Sequence, residues 1–416
     1  MRPQDEIELT IERMVAGGDG MARHEGRVIF VPYVMAGERV RARLTTVKRH
    51  WARAELVALL APSPERIAPR CAHFGPSGCG GCQWQHIDYA AQLRYKAEIV
   101  REQLQRIAKI ADPPVRPTLG MDEPWQYRNS VQLHATAQGP GFVRADQRGV
   151  LPLRECHIMN RAVAALFAPL RGHPLRGVTR LTLRGSERTG SRLRLGEGQT
   201  QPSLPLADDA ALFWQAQGQP PPADAQWTER IDGHEWQVGA GAFFQVNSAQ
   251  AERMVALVRE LAQPLPAAGL LLDLYAGVGL FGLSLAAEVG QVVLVESDPV
   301  ASASARAHAK SFPNARVIAA TSESLHAAWP EDWAAPDLII LDPPRAGCDP
   351  TVVQMLGKWP TSTIIYIACD PATQARDIRE LRAQGFALEV VQPIDMFPQT
   401  FHIESVARLR RHPVDG

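Results

Sequence analysis

The C-terminal part of this 416-residue chain is predicted to be an α/β domain with a parallel, doubly wound sheet. From about residue 240, short apolar runs such as GLLLDLYAG and DLIILDPP alternate with segments whose apolar residues have helical spacing. Runs that are apolar on both faces and separated by helices are typical of parallel sheets. Because ligands bind at the carboxyl ends of such strands, the residues that follow each run are the first candidates for a functional site.

Three domains are predicted, over 1–61, 62–238 and 239–416, since single cores stop growing at about 250 to 300 residues. In the first domain, short alternating runs separated by glycine-rich turns such as AGGDG predict a small β-barrel. The proline-rich segment PSPERIAPR is interpreted as a linker. One long amphipathic helix is predicted over 88–110. The stretch 125–236 is predicted to be mostly antiparallel, so the central domain is α+β.

Composition limits the possible partners. The formal net charge is zero, with 44 Lys and Arg against 44 Asp and Glu, so any nucleic-acid binding must come from a local patch. One patch lies between Glu38 and Glu55, where six cationic residues occur without an acid: Arg39, Arg41, Arg43, Lys48, Arg49 and Arg53. It is either a solvated strand face or an RNA-binding surface. No apolar run reaches the roughly 18 residues of a membrane span, so we expect a cytoplasmic protein, and a monomer.

The stretch LLLDLYAGVGLFG ends a strand and begins a helix. It contains three glycines in the pattern G-x-G-x-x-G: Gly277, Gly279 and Gly282. With Glu296 closing the next strand, the pattern fits a dinucleotide site. However, Asp273 before the turn and Tyr275 within it resemble the first motif of S-adenosylmethionine-dependent methyltransferases, in which Glu296 would bind the ribose. Asp342 begins the turn DPPRAG at the end of another strand and is expected to face the same crevice.

The stretch YIACDPATQARD places Cys369 after an apolar run and before an Asp-Pro turn. A cysteine at this position is either buried packing or a nucleophile. The stretch resembles the S-C-N-P-A-T-x-A-R-D motif of the RNA uracil-C5 methyltransferases. DPPRAG, FFQVN and HIESVARL are similar to other motifs of that family and occur in the same order. The resemblance covers nearly the whole chain.

The resemblance implies methyl transfer from S-adenosylmethionine to C5 of a uridine in RNA. Cys369 would add to C6 of the uracil and so make C5 nucleophilic, and Glu404 would remove the C5 proton. The implied cofactor contacts are Gln245, Tyr275, Gly277, Gly279, Glu296 and Asp342. Two positions depart from the family pattern. Leu280 stands where many members have a polar residue. Asp370 replaces an asparagine, and its carboxylate is expected to raise the pKa of the neighbouring thiol.

Three cysteines lie within twelve residues, and Cys156 is the candidate for a fourth metal ligand; the three are Cys71, Cys79 and Cys82. In a cytoplasmic protein such a group favours metal binding over disulfides. Four thiolates suit zinc. The resemblance instead implies a [4Fe-4S] cluster, for which we expect a role in stabilising the fold and positioning RNA.

The N-terminal strands resemble the TRAM module, an OB-like barrel that binds RNA, which agrees with the basic patch. EPWQYRNSVQLH resembles another family stretch, so Arg128 and Asn129 are expected to face the substrate. Members with both TRAM and cluster mostly act on 23S ribosomal RNA, which is therefore favoured over tRNA. A non-catalytic RNA-binding protein that binds S-adenosylmethionine is an alternative. A nicotinamide-dependent oxidoreductase would leave the Asp342 and Cys369 motifs unexplained.

Overall fold

The computed structural model describes residues 1–201, 210–325, 329 and 333–411. Its N-terminal part is a six-stranded sheet in the order β1-β5-β6-β4-β3-β2, antiparallel except between β4 and β6. Along β5 the side chains alternate, so that Val40, Ala42 and Leu44 are buried while the intervening arginines face outward. The strands are β1 (Glu6–Thr10), β2 (Arg13–Met14), β3 (Gly20–His24), β4 (Arg27–Val31), β5 (Arg39–Val47) and β6 (Trp51–Ala61).

The proline-rich segment after β6 is fixed to the sheet, in contrast to the predicted linker. The Arg66 guanidinium donates to both carboxylate oxygens of Glu38, at 2.5 and 2.9 Å, and to the carbonyl oxygen of Tyr33. Glu38 is fully buried, and its carboxylate also accepts from the backbone N–H of Met35 at 2.9 Å. A buried carboxylate with a paired cation ties this segment to the first sheet.

The predicted long helix is α1 (Tyr89–Arg106), with the Asp88 side chain accepting from the Ala90 N–H at its start. Its apolar face shares one core with the C-terminal sheet, including Tyr95, Ile99 and Val100. Further on, Val115 and Leu119 form single bridges to the strand Phe386–Ile394 of that sheet. By packing, α1 and the residues after it therefore belong with the C-terminal core, although the sequence-based boundaries put them in the central domain.

The central sheet has the order β12-β11-β10-β7-β8-β9 and is antiparallel except between β11 and β12. One of its faces packs on the short helix α2 (Arg161–Phe167). The strands are β7 (Ser130–Thr136), β8 (Gly139–Val143), β9 (Val150–Pro152), β10 (Val178–Gly185), β11 (Arg192–Gly198) and β12 (Leu212–Ala216). A hairpin follows, β13 (Gln226–Ile231) and β14 (His234–Gly239), whose tryptophans pack into the C-terminal core.

The C-terminal sheet has seven strands in the order β17-β16-β15-β18-β19-β21-β20, and the first five are parallel, as predicted. The last two differ, because β21 inserts antiparallel between β19 and β20. The strands are β15 (Leu270–Leu274), β16 (Gln291–Val295), β17 (Ala315–Ile318), β18 (Leu338–Leu341), β19 (Thr363–Ala368), β20 (Phe386–Ile394) and β21 (Glu404–Arg411). The helices are α3 (Ser248–Leu261), α4 (Leu280–Ser284), α5 (Pro299–Ala309), α6 (Pro350–Lys358) and α7 (Pro371–Ala383). Among the described helices, none combines the length and apolar character needed to cross a membrane.

Candidate active site

The carboxyl ends of three neighbouring strands bring the predicted residues to one edge of the sheet. Asp273 lies in β15 beside the glycine turn, Asp342 directly follows β18, and Cys369 directly follows β19. Glu404 begins β21, and because β21 runs antiparallel to β19, its first residues pair with the last residues of β19. The antiparallel insertion therefore carries Glu404 to the edge where Cys369 lies.

The glycine turn has a backbone that leaves space beside it. Gly277 and Gly279 have φ angles of 58° and 92°, and Tyr275 also has a positive φ, 61°, which is unfavourable for a residue with a side chain. A Cβ added at Gly277 would meet no atom within 4 Å, whereas one at Gly282 would lie 2.8 Å from Oδ2 of Asp273. Gly282 thus permits close packing on the strand, while Gly277 borders open space.

Several carboxyl groups surround this space. Burial, with smaller effects of Asp342 and Glu296, raises the pKa of Asp273 to about 8, and burial raises the pKa of Asp342 to about 7. Glu296 accepts from the N–H groups of Gly277 and Asp298 at 2.7 and 2.6 Å. The Gln245 side chain is buried and makes no side-chain hydrogen bond to the described residues. A crevice rich in carboxylates beside an open glycine turn fits a ligand that carries positive charge.

Cys369 is partly buried between groups of opposite charge. Burial and then the Glu404 carboxylate raise the pKa of its thiol to about 11, while the charge and hydrogen bond of Arg345 lower it. The Arg345 guanidinium also donates to Nδ1 of His402 at 2.9 Å. Burial and the charge of Arg345 lower the pKa of His402 to about 4, so this ring is neutral at pH 7 and can accept the hydrogen bond. Arg345 is therefore the cation that favours the thiolate.

Asp370 caps the helix that follows Cys369. Its Oδ1 accepts from the N–H groups of Ala372 and Thr373 at 2.8 and 3.1 Å, so it caps the start of α7. The charges that raise the pKa of Cys369 are those of Glu404 and Asp342. Asp370 is not among the groups with the largest effects on this pKa, and a smaller effect of its carboxylate stays a prediction. Asparagine caps helices equally well, so the family's asparagine could fill the same role at this position.

A buried ion pair lies beneath Glu404 and was not predicted. Lys96 of α1 donates to Oδ1 of Asp395 at 2.6 Å, both side chains are fully buried, and the Tyr89 hydroxyl donates to Oδ2 of Asp395 at 2.9 Å. Burial and the charge of Asp342 raise the pKa of Glu404 well above its usual range, and Arg345 and Lys96 oppose this. A lysine within the apolar stripe of a helix was the sequence signal for this pair.

Leu280 and Cys348 are both buried near the glycine turn and the DPPRAG turn. Leu280 is buried in the core beside the glycine turn, so no polar group replaces the missing one at that position. Cys348, the remaining cysteine of the chain, is buried, and its backbone N–H donates to Oδ2 of Asp377 at 2.8 Å.

The basic patch of the first sheet is partly neutralised by acids from neighbouring strands. Arg43 pairs with Glu6 at 2.8 Å and with Glu55 at 3.0 Å. Arg39 and Arg41 lie 3.7 and 3.6 Å from Glu8. Lys48 and Arg49, between β5 and β6, are exposed and form no ion pair with any described residue. The cationic surface available to a ligand is consequently narrower than the sequence suggested.

Arg128 and Asn129 have different environments. Asn129 is fully buried, and its side-chain N–H groups donate to the carbonyl oxygen of Gln245 at 3.0 Å and to the Ser248 hydroxyl at 2.9 Å. Its side chain joins the central sheet to the loop before α3, and a contact between Asn129 and the substrate stays a prediction. Arg128 is partly exposed, and its Nε donates to the carbonyl oxygen of Ser130 at 3.0 Å.

The four predicted metal ligands line one cavity of about 20 Å³, together with His73 and Glu155; they are Cys71, Cys79, Cys82 and Cys156. Burial raises the pKa of all four thiols, that of Cys79 to about 11, and the charges of neighbouring cysteines add to the effect at Cys79 and Cys82. Within the described residues, no set of three or more His, Cys, Asp or Glu side chains is arranged to hold a single metal ion. The fold therefore brings the four thiols to one cavity, and its occupant stays a prediction.

Comparison with known proteins adds evidence independent of this geometry. The family model described as tRNA (Uracil-5-)-methyltransferase matches residues 230–412, and that of the TRAM domain matches residues 3–57. An uncharacterised RNA methyltransferase of Halalkalibacterium halodurans is 31% identical over 97% of both chains. One of Streptomyces coelicolor is 35% identical over 97% of this chain and 93% of its own. Among solved structures, the chain is similar to the crystal structure of Pyrococcus abyssi tRNA (uracil-54, C5)-methyltransferase in complex with S-adenosyl-L-homocysteine. The two sequences are 24% identical, and the match covers 97% of this chain and 100% of that one. The TM-score of 0.74 shows that the two proteins share a fold.

Proposed function

Because the chain belongs to the TRAM-containing family of RNA uracil-C5 methyltransferases, which are S-adenosylmethionine-dependent enzymes, we propose that it forms 5-methyluridine in ribosomal RNA through a covalent adduct at Cys369. The main support for this proposal is that Cys369 and Glu404 lie at adjoining ends of β19 and β21, close enough for the Glu404 carboxylate to raise the pKa of the Cys369 thiol. A protein that only binds RNA has no need of a nucleophile beside a buried base.

The nucleophile is the Cys369 thiolate, which adds to C6 of the extruded uracil and leaves negative charge delocalised over C5 and O4. Its pKa of about 11 in the free protein means that thiolate formation depends on Arg345, the cation that hydrogen-bonds the sulfur. S-adenosylmethionine supplies the methyl group as a sulfonium electrophile, and the residues that would hold it are Gln245, Tyr275, Gly277, Gly279, Glu296 and Asp342. The carboxylates among these suit its positive charges.

The base is Glu404, which takes the proton from C5 after methylation. Its burial makes the carboxylate more basic than an exposed one, and the positive charges of Arg345 and Lys96 favour its ionised form. Loss of the C5 proton restores the C5–C6 double bond, expels the Cys369 thiolate and releases the methylated uridine. The proton resides on Glu404 at the end of the cycle.

The proposal that ribosomal RNA is the substrate is based on two features that occur together in this chain. They are the N-terminal TRAM domain and the cavity lined by four cysteines. The cavity is proposed to hold a [4Fe-4S] cluster through Cys71, Cys79, Cys82 and Cys156, with zinc as the alternative. The bound metal would stabilise thiolates whose pKa is raised by burial. Iron and sulfide analysis of anaerobically purified protein, with the absorbance near 400 nm, separates cluster from zinc.

The test uses ribosomal RNA and tRNA isolated from cells that lack this gene. Wild-type protein with S-adenosylmethionine should form 5-methyluridine in the ribosomal fraction, measured by nucleoside mass spectrometry. Cys369→Ala should abolish it, while Arg379→Met, which changes an exposed arginine paired with Glu380, should retain it. Methylation confined to tRNA would refute the substrate, and binding of RNA without methylation of either pool would support the non-catalytic alternative.

A further inference from the structure

A second polar cavity, about 300 Å³, lies on the face of the central sheet that points away from α2. Along β10 the side chains alternate, so Leu181 and Leu183 pack towards α2 while Arg180, Thr182 and Arg184 line the cavity. The lining also includes Ala240, Gly241 and Val246, and Val246 directly follows the predicted cofactor contact Gln245. The cavity thus separates the central sheet from the loop that borders the active site.

Arg184 is the most unusual residue of this cavity. It is only 9% exposed, and its Nη2 donates to the carbonyl oxygen of Ala242 at 2.8 Å, but Nε and Nη1 are buried without an acceptor. Burial alone lowers its pKa to about 10, with no contribution from a carboxylate, so the group is still charged at pH 7. The Trp227 ring lies 5.8 Å from the guanidinium carbon and offers partial compensation. Burying a cation without a counter-ion costs folding free energy, so a buried arginine of this kind points to a functional role.

The other residues that line the cavity add further positive charges and a second unpartnered polar group. Oε1 of Gln215 is also buried without a donor. Arg128 and Arg180 add two positive charges, and Glu197 is the carboxylate of the lining, 3.9 Å from Arg180. The cavity is therefore lined by three cationic side chains, which suit an anion, and by an amide whose oxygen lacks an N–H or O–H donor. A nucleotide, with a phosphate next to a ribose and base, has both complements.

We propose that this cavity binds a nucleotide of the substrate RNA that flanks the target uridine, with its phosphate on Arg184 and Arg128 and its ribose or base donating to Gln215. Arg128 links the lining of this cavity to the active site electrostatically, because its charge acts on His402, the partner of Arg345 beside Cys369. Holding a neighbouring nucleotide helps to offset the cost of extruding the uridine from its stack. The inference rests on the proposed function, because it takes RNA as the ligand.

The test measures RNA binding apart from chemistry, with a labelled 20-nucleotide uridine-containing RNA and, separately, S-adenosylhomocysteine. Arg184→Met should raise the Kd for RNA about tenfold or more, the usual effect of losing a charged hydrogen bond. It should also reduce the slope of log K against log salt by about 0.7, the value for one phosphate contact on a single strand. Its affinity for S-adenosylhomocysteine should not change. The matched control is Arg230→Met, an exposed arginine of β13 paired with Glu235.

Thr182→Phe is a second variant that tests the site, because its larger side chain fills the cavity while Arg184 is kept. It should weaken RNA binding and preserve binding of S-adenosylhomocysteine, even if Arg184→Met does not fold. Wild-type RNA affinity and salt slope in either folded variant would overturn the proposal. Methyl transfer by wild-type protein is assayed independently, so a failure of the catalytic proposal is distinguishable from a failure of this site.

Discussion

Replacing Arg345 should make Cys369 a weaker nucleophile. With a thiol pKa of about 11, about one molecule in a thousand carries the thiolate at pH 8. Arg345 opposes burial and Glu404 through its charge and its hydrogen bond to the sulfur. Losing a cation within about 4 to 6 Å typically raises such a pKa by one unit or more. Each unit removes nine tenths of the remaining thiolate, so Arg345→Met should alkylate at least about tenfold more slowly.

The assay is the rate at which iodoacetamide modifies Cys369, followed by mass spectrometry of its peptide between pH 7 and 10.5. Arg345 is exposed, so added salt should reduce the difference between wild type and Arg345→Met. Arg345→Lys should lie between them, since it keeps the charge but loses the fork that contacts both Cys369 and His402. Arg379→Met, which removes an exposed arginine paired with Glu380, is the control. Identical rate profiles for Arg345→Met and wild type would refute the assigned role of Arg345.

Three other predictions concern the cofactor crevice, the helix cap and the buried pair. Asp342 and Asp273, with pKa values of about 7 and 8, ionise as the pH rises from 6 to 9, and a cationic ligand prefers the ionised forms. Calorimetry should therefore find that the affinity for S-adenosylmethionine rises over this range more than that for S-adenosylhomocysteine, which lacks the sulfonium charge; parallel curves would contradict this. Asp370→Ala should lower the free energy of unfolding in urea by about 1 kcal/mol, with Asp370→Asn near wild type, because only the alanine removes the cap. Lys96→Met should lower it by about 3–5 kcal/mol, since Asp395 stays buried without its cation, and Lys96→Met with Asp395→Leu should recover part of the loss.

The sequence predicted the parts of the site that depend on local pattern. Apolar runs predicted the parallel strands, and because their carboxyl ends meet at one edge, motifs far apart in sequence were expected together. Asp342 and Cys369 are found as this reasoning requires. The motif with Glu404 could be placed only through the family resemblance, since nothing in its local pattern reveals that β21 runs antiparallel beside β19.

Side-chain environments depended on partners that are distant in sequence. Arg43 was assigned to a basic patch, yet its acidic partner Glu6 lies 37 residues away on a neighbouring strand. Asp395, the partner of Lys96, lies 299 residues away. Adjacency to Cys369 predicts an electrostatic role for Asp370, but it does not reveal that the carboxylate accepts from two N–H groups at the start of α7. Which acid pairs with which base depends on how strands and domains come together. A single sequence does not show these long-range contacts.

RNA with 5-fluorouridine at the target position tests the central claim most directly, because fluorine at C5 cannot leave as a proton and the adduct should accumulate. Wild-type protein incubated with this RNA and S-adenosylmethionine should form a denaturation-resistant complex, in which mass spectrometry maps the linkage to Cys369. On ordinary RNA, Glu404→Gln should accumulate the corresponding adduct, in which C5 keeps its hydrogen in place of fluorine. Absence of any adduct with wild-type protein, or an adduct that persists in Cys369→Ala, would contradict the proposed mechanism.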